Sequence, residues 1–130
     1  MRERVHEARV GRLATIDAEG RPHLVPLCFA IDGDTLYSAV DEKPKLSRRL
    51  KRLANIRTHP HVSVIVDHYE EDWSRLWWVR MDGKASVLDE GPEFERALAL
   101  LREKYEQYRG EPPTGPVIAV HIDSWKGWHA

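Results

Sequence analysis

Polar and apolar positions alternate from Val10 to Asp17. Val10, Arg12, Ala14 and Ile16 share one face, and Gly11, Leu13, Thr15 and Asp17 share the other. A period of two predicts a strand. Ala18-Glu19-Gly20 is a turn, and His23–Ile31 is a nearly continuous apolar run. Such a run predicts a strand covered on both faces, with Pro26 marking an edge, a bulge or a break. Asp32-Gly33-Asp34 carries hairpin-turn chemistry, so Thr35–Val40 is the returning strand. Two strand pairs with tight turns before residue 41 predict an antiparallel meander.

The period then changes. Leu46, Leu50, Leu53 and Ala54 recur at helical spacing within Lys43–Thr58, Pro44 suits a first helical turn, and His59-Pro60 ends the segment. His61–Tyr69 reads as a strand, with Val62, Val64 and Val66 on one face and Ser63, Ile65 and Asp67 on the other. Glu70–Leu76 is an acidic loop. Trp77–Leu88 is a strand pair, or one long strand kinked at Asp82-Gly83. Phe94, Leu98, Leu101 and Tyr105 stripe a second helix over Pro92–Arg109, and Val117–Ile122 is the last strand. Val5 and Ala8 are spaced for a short helix within Arg2–Arg9. About six strands and two main helices predict a mainly β (α+β) fold. It is a small antiparallel barrel with helices outside, forming one domain over residues 1–130.

Composition narrows the function. With 42% hydrophobic and 32% charged residues the chain is globular rather than disordered. Twenty basic residues against 21 acidic ones leave a net charge of −1, so bulk attraction to nucleic acid is not implied. The single cysteine, Cys28, excludes an intrachain disulfide and makes a reducing compartment the default. No apolar run approaches the length of a membrane span, and Met1–Val10 is charged without a signal-peptide core. A cytoplasmic protein without membrane or nucleic-acid partners is the expectation.

The sharpest chemical signal is the stretch from Lys43 to Arg57. It holds seven basic residues (Lys43, Lys45, Arg48, Arg49, Lys51, Arg52 and Arg57) and no acidic one. Cations are mildly unfavourable at a helix N-terminus, where free N–H groups and the dipole already attract anions. Their placement there points to a bound anion such as a phosphate; the competing reading is a solvated helix face. Trp73, Trp77 and Trp78 form an aromatic wall for a planar ring, or else cap the barrel or an interface. Trp125 and Trp128 raise the same two options. Stacking of single-stranded RNA ranks below both, because no RNA-binding motif accompanies the aromatics. No helical metal-ligand spacing occurs among the seven histidines, and Cys28 lies in an apolar strand where a thiol usually packs, so no metal site is expected.

Taken together these residues resemble a family. Val10-Gly11-Arg12-Leu13-Ala14-Thr15-Ile16-Asp17-Ala18-Glu19-Gly20-Arg21-Pro22-His23-Leu24-Val25-Pro26 is similar to the opening hairpin of split β-barrel flavin-binding proteins related to pyridoxamine 5′-phosphate oxidase. Leu36-Tyr37-Ser38-Ala39-Val40, then Lys43, Lys45 and Arg48-Arg49-Leu50, resembles their phosphate-binding strand, loop and helix. Asn55–Ser63 resembles their helix-to-strand join. The likeness covers about residues 5–125, and Asp72-Trp73-Ser74-Arg75-Leu76-Trp77-Trp78-Val79-Arg80 resembles one subgroup of the actinobacterial branch that uses the deazaflavin coenzyme F-420.

The resemblance implies a six-stranded split barrel and a homodimer with two cofactor sites at the interface. It implies coenzyme F-420, with FMN as the alternative, and hydride transfer to an unsaturated or carbonyl substrate. A cofactor carrier without turnover is the other function the same site serves. By position, Lys43 and Lys45 match the phosphate-binding pair, while Val25-Pro26 and Tyr37, Ser38, Ala39 and Val40 match the segments along the ring. Arg49 and Trp77 complete the implied cofactor-binding set. Tyr37, His23 and His68 are candidate proton donors. The pyridoxal-phosphate-binding residues of the oxidase itself are missing near the C-terminus: no Arg follows Trp125.

Overall fold

The computed structural model describes residues 1–40 and 46–130, the side chains of residues 46–50 excepted. In chain order the elements are α1 (Arg2–Glu7), β1 (Gly11–Ile16), β2 (Pro22–Leu27), β3 (Ala30–Asp32), β4 (Thr35–Ala39) and α2 (Leu46–Thr58). They continue with β5 (His61–His68), a 3₁₀ turn (Trp73–Arg75), β6 (Trp77–Leu88), α3 (Pro92–Lys104), α4 (Glu106–Gly110) and β7 (Val117–His129).

The seven described strands form one antiparallel sheet in the order β2-β1-β5-β6-β7-β4-β3. Six strand spacings would put the two edges of a flat sheet about 29 Å apart. Yet the edge strands β2 and β3 are joined by only Cys28 and Phe29, and three peptide units reach about 11 Å. The sheet therefore has to curl until its edges meet, and the result is a barrel with a seam between β2 and β3. The hydroxyl of Ser38 on β4 bridges that seam, donating to the Cys28 carbonyl at 2.7 Å.

Inward-facing residues fill the barrel: Leu13, Val62, Val64, Val66, Met81, Ile118 and Val120 are all buried, and Phe29 closes the seam over them. Val5 of α1 joins the same core, as do Leu53 and Ile56 of α2. On the outside, Ala97 and Leu101 of α3 pack on Tyr37, Ala39, Val117 and Ala119. The outer face of β2, β1, β5 and β6 carries no helix among the described residues. On it Leu24 is 68% exposed and Ile16 is exposed.

Four expectations are corrected. The run His23–Ile31 is two strands, because the chain turns at Cys28-Phe29; this raises the strand number from six to seven. The two hairpins are consequently no meander, since β1–β2 and β3–β4 end up on opposite edges of the sheet. The second helix ends at Lys104, where Tyr105 adopts extended backbone (φ −112, ψ 117). The Tyr105 hydroxyl accepts from the Phe29 N–H at 3.0 Å and donates towards the carbonyls of Arg9 and Phe29. A continuous helix would lose those bonds. The last strand also runs further than its β-branched core, through Trp125 and Trp128 to His129, because β6 offers it a partner along its whole length. Between Asp82 and Gly83 that pairing shifts register, at the kink expected from the sequence.

Candidate functional site

The seam brings together two of the segments that the sequence singled out. Val25 and Pro26 lie at the end of β2, and Ser38 holds the next turn of that chain through Cys28. Val25 is half-buried in step with His23 and Leu27, whereas Pro26 faces outward and is exposed. Tyr37, Ser38, Ala39 and Val40 are all buried. Tyr37 and Ala39 lie under α3, and Val40 belongs to the barrel core. The backbone of β4 is paired with β7 from Thr35 to Ala39 and with β3 as far as Tyr37, so only the stretch beyond Tyr37 has a side left for a ligand. The Tyr37 hydroxyl donates to Glu93 at 2.8 Å, and burial, reinforced by that carboxylate, pushes its pKa up to about 12. A phenol so engaged is a poor proton donor near neutrality.

Val40 leads directly from the seam towards α2. Lys43 and Lys45 lie outside the described residues; Arg49 is in α2, its side chain likewise outside them. Beyond them Arg52 is half-buried, and its Nε is enclosed with no hydrogen-bond partner among the described residues. Burial pulls its pKa below the ordinary guanidinium value. An enclosed donor without an acceptor is costly, and an anionic group at this helix would relieve that cost. Arg52 follows positions 48 and 49 by one helical turn, so the three share a side of α2. Lys51 departs from them: it reaches towards Asp17 at 4.0 Å. The Arg21 and Glu19 N–H groups hold the Asp17 carboxyl below its usual value. A second enclosed nitrogen without a partner, His23 Nδ1, faces the same end of the barrel. His23 pairs with Thr15 across β1–β2, and Thr15 accepts a hydrogen bond from Asn55 of α2 at 3.1 Å. These residues fit a phosphate-bearing or carboxylate-bearing cofactor.

Trp77 stands elsewhere. It opens β6 opposite His68 and His129, half-buried against the barrel core, with the Arg4 guanidinium 5.7 Å from its ring centre. Ser38 is level with Ile118 and, across β7, with Val87. Ten residues of β6 separate Val87 from Trp77, about 30 Å of strand. Counted the other way round the barrel, through β5 and β1, Val79, two residues from Trp77, is level with Leu27 at the end of β2. His68, the third proton-donor candidate, is engaged by Glu70. Trp73 is 76% exposed on its 3₁₀ turn, where the Ser74 N–H and hydroxyl donate to the Asp72 carboxylate.

The match to known families decides the assignment: residues 1–129 fit the family model described as pyridoxamine 5′-phosphate oxidase. The chain belongs to the pyridoxamine 5′-phosphate oxidase family. Solved structures share the split-barrel fold of that family. A conserved hypothetical protein of Mycobacterium tuberculosis superposes with a TM-score of 0.77 at 20% identity, covering 96% of this chain and 79% of that one. The heme storage protein HutZ of Vibrio cholerae gives 0.74 at 19% identity, over 98% and 90%. A FAD-binding protein of Mesorhizobium loti gives 0.67 at 23% identity, over 97% and 89%. No curated protein matches the sequence. Within the family the fold explains why the seam was missed from sequence: Ser38 and Cys28 are ten residues apart, and nothing in either local pattern announces that they touch. The enclosed Arg52 was legible only as one cation among seven.

Proposed function

We propose that the protein is a homodimeric oxidoreductase that uses the deazaflavin coenzyme F-420, with the cofactor's ring along the seam and its anionic groups at the N-terminal half of α2. The observation that carries this reading is the enclosed Arg52 Nε, without a partner among the described residues, on a helix whose first half holds only basic charges. FMN and coenzyme F-420 share a tricyclic ring and a phosphate, for which Lys43 and Lys45 are the proposed ligands. The deazaflavin adds a tail of carboxylates, and Arg49 and Arg52 continue the basic side of α2 beyond the phosphate. Exposed ion pairs contribute about 0–1 kcal/mol each, but a partly enclosed guanidinium contributes more, because its desolvation has already been incurred.

A second copy of the chain completes the site. In this reading Trp77 walls the ring from the partner copy, and the uncovered outer face of β2, β1 and β5 is available for that contact. When bound, the cofactor supplies the hydride chemistry. The chain orients the ring through the backbone of Val25-Pro26 and Tyr37–Val40, neutralises its anions, and excludes water where the copies meet. Coenzyme F-420 reduced beforehand and mixed with the protein and a panel of enones and quinones should be oxidised at a saturable rate. Lys43→Ala/Lys45→Ala should weaken cofactor binding by at least about tenfold, the loss expected for a charge-assisted hydrogen bond. Tight binding without turnover of any acceptor would make the protein a carrier; binding unchanged in the double variant would remove the phosphate assignment.

A further inference from the structure

A groove of about 470 Å³ lies between α1 and the β1–β5–β6 surface, lined by Arg4, Glu7, Arg9, Arg12, Asp67, His68 and Trp77 with Ala8 and Val10. Its wall is firmly built: Val5 anchors α1 in the barrel core, and Arg2 is held by Asp34 at 3.3 Å and lies 4.2 Å over the Trp125 ring. Three arginines converge on it, and their acceptors are few. Arg12 approaches Asp67 at 3.8 Å. Arg9 gives one N–H to the Lys104 carbonyl at 2.7 Å. Arg4 has no hydrogen bond or ion pair among the described residues and lies over Trp77 instead. Glu7 is one turn away on the same helix, the spacing at which opposite charges normally pair, and the two do not meet. His68 is taken by Glu70. Arg9 turns its guanidinium to the Lys104 carbonyl and the Tyr105 ring, which leaves Arg4 as the cation of the groove that no described carboxylate meets, beside an aromatic wall.

We propose that this groove binds a planar monoanion of the aromatic-carboxylate class, its ring against Trp77 and its carboxylate received by Arg4 and Arg12. A guanidinium fork matches a carboxylate in two parallel hydrogen bonds, and its flat face tolerates a neighbouring ring. The groove's lining comes from one chain, and because Trp77 is also proposed to wall the cofactor's ring, the groove is probed on cofactor-free protein. Benzoate and its neutral analogue benzamide are the probes, titrated into the cofactor-free full-length protein while the Trp77 indole N–H is followed by nitrogen–proton correlation NMR. Benzoate should shift that resonance saturably, and benzamide should bind at least about tenfold more weakly. Arg4→Gln and Arg12→Gln should each weaken benzoate by about fivefold or more while leaving benzamide unchanged. Both arginines are exposed, and the same spectra show whether the variants remain folded. Equal affinity for the two probes, an unmoved Trp77 signal, or benzoate binding indifferent to both substitutions would overturn the proposal. These outcomes are distinguishable from failure of the cofactor reading, whose anion site rests on Arg52 and the seam and is read by cofactor titration.

Discussion

Lys104 illustrates what a single residue contributes where the barrel closes. Its Nζ lies 3.9 Å from the centre of the Phe29 ring, enclosed without a hydrogen-bond partner. Burial, with Arg9 adding repulsion, lowers its pKa from 10.5 to about 8. Below pH 8 both the folded and the unfolded chain carry this proton, and the fold bears the cost of an enclosed charge. Between about pH 8 and 10.5 the folded state has released a proton that the unfolded state retains, so this residue makes stability rise with pH across that window. Lys104→Met keeps the stem and removes the charge. It should raise stability at pH 7 by about 1 kcal/mol and remove this residue's share of the rise above pH 8. Urea unfolding at pH 7 and pH 9.5 checks both statements; a variant less stable than the parent at pH 7 would contradict them.

At the scale of elements, the long pair β6–β7 depends on one irregular position. A Cβ on Gly83 would sit 2.1 Å from the His121 carbonyl oxygen and 2.9 Å from its carbon. Backbone on that side cannot move without opening the ladder, so Gly83→Ala should cost about 3 kcal/mol, read as a lowered urea midpoint at an unchanged slope. The neighbouring Gly127 meets nothing closer than 3.4 Å, and Gly127→Ala should cost far less. Much of this element level was legible in the sequence. The β-branched alternation of Val62, Val64 and Val66, the turn at Gly33 (φ 61) and the kink at Asp82-Gly83 are local signals, and local periodicity reports them. What stayed hidden depends on distant partners. Phe29 looks like one more apolar residue of a strand until its N–H is seen bonded to Tyr105, 76 residues later. Trp125 and Trp128 lie in a strand only because β6 is long enough to pair with them. The candidate site was visible as a basic run and a phosphate-binding order of residues, yet the enclosure of Arg52 comes from packing that no single segment encodes.

For the whole molecule, the barrel's asymmetry matters most. One side of the sheet is covered by α3 and the barrel's end is closed by α2, while the face bearing Leu24, Ile16 and Pro26 is left bare. A dimer through that face predicts that Leu24→Glu lowers the mass measured by light scattering from twice 15.1 kDa towards a single chain with the circular dichroism spectrum unchanged. A parent protein that already scatters as one chain at micromolar concentration would remove the partner from the account. The same change should then weaken cofactor binding, since the proposed site is completed by a second copy. The central claim, a deazaflavin held by a basic helix beside the seam, is tested most directly by titrating the cofactor-free protein with coenzyme F-420 and with FMN at two salt concentrations. Coenzyme F-420 should bind more tightly than FMN and lose more affinity as salt rises, because its carboxylate tail adds screened contacts to Arg49 and Arg52. Arg52→Gln should narrow that gap. Tighter binding of FMN, with the same salt dependence for both cofactors, would contradict it.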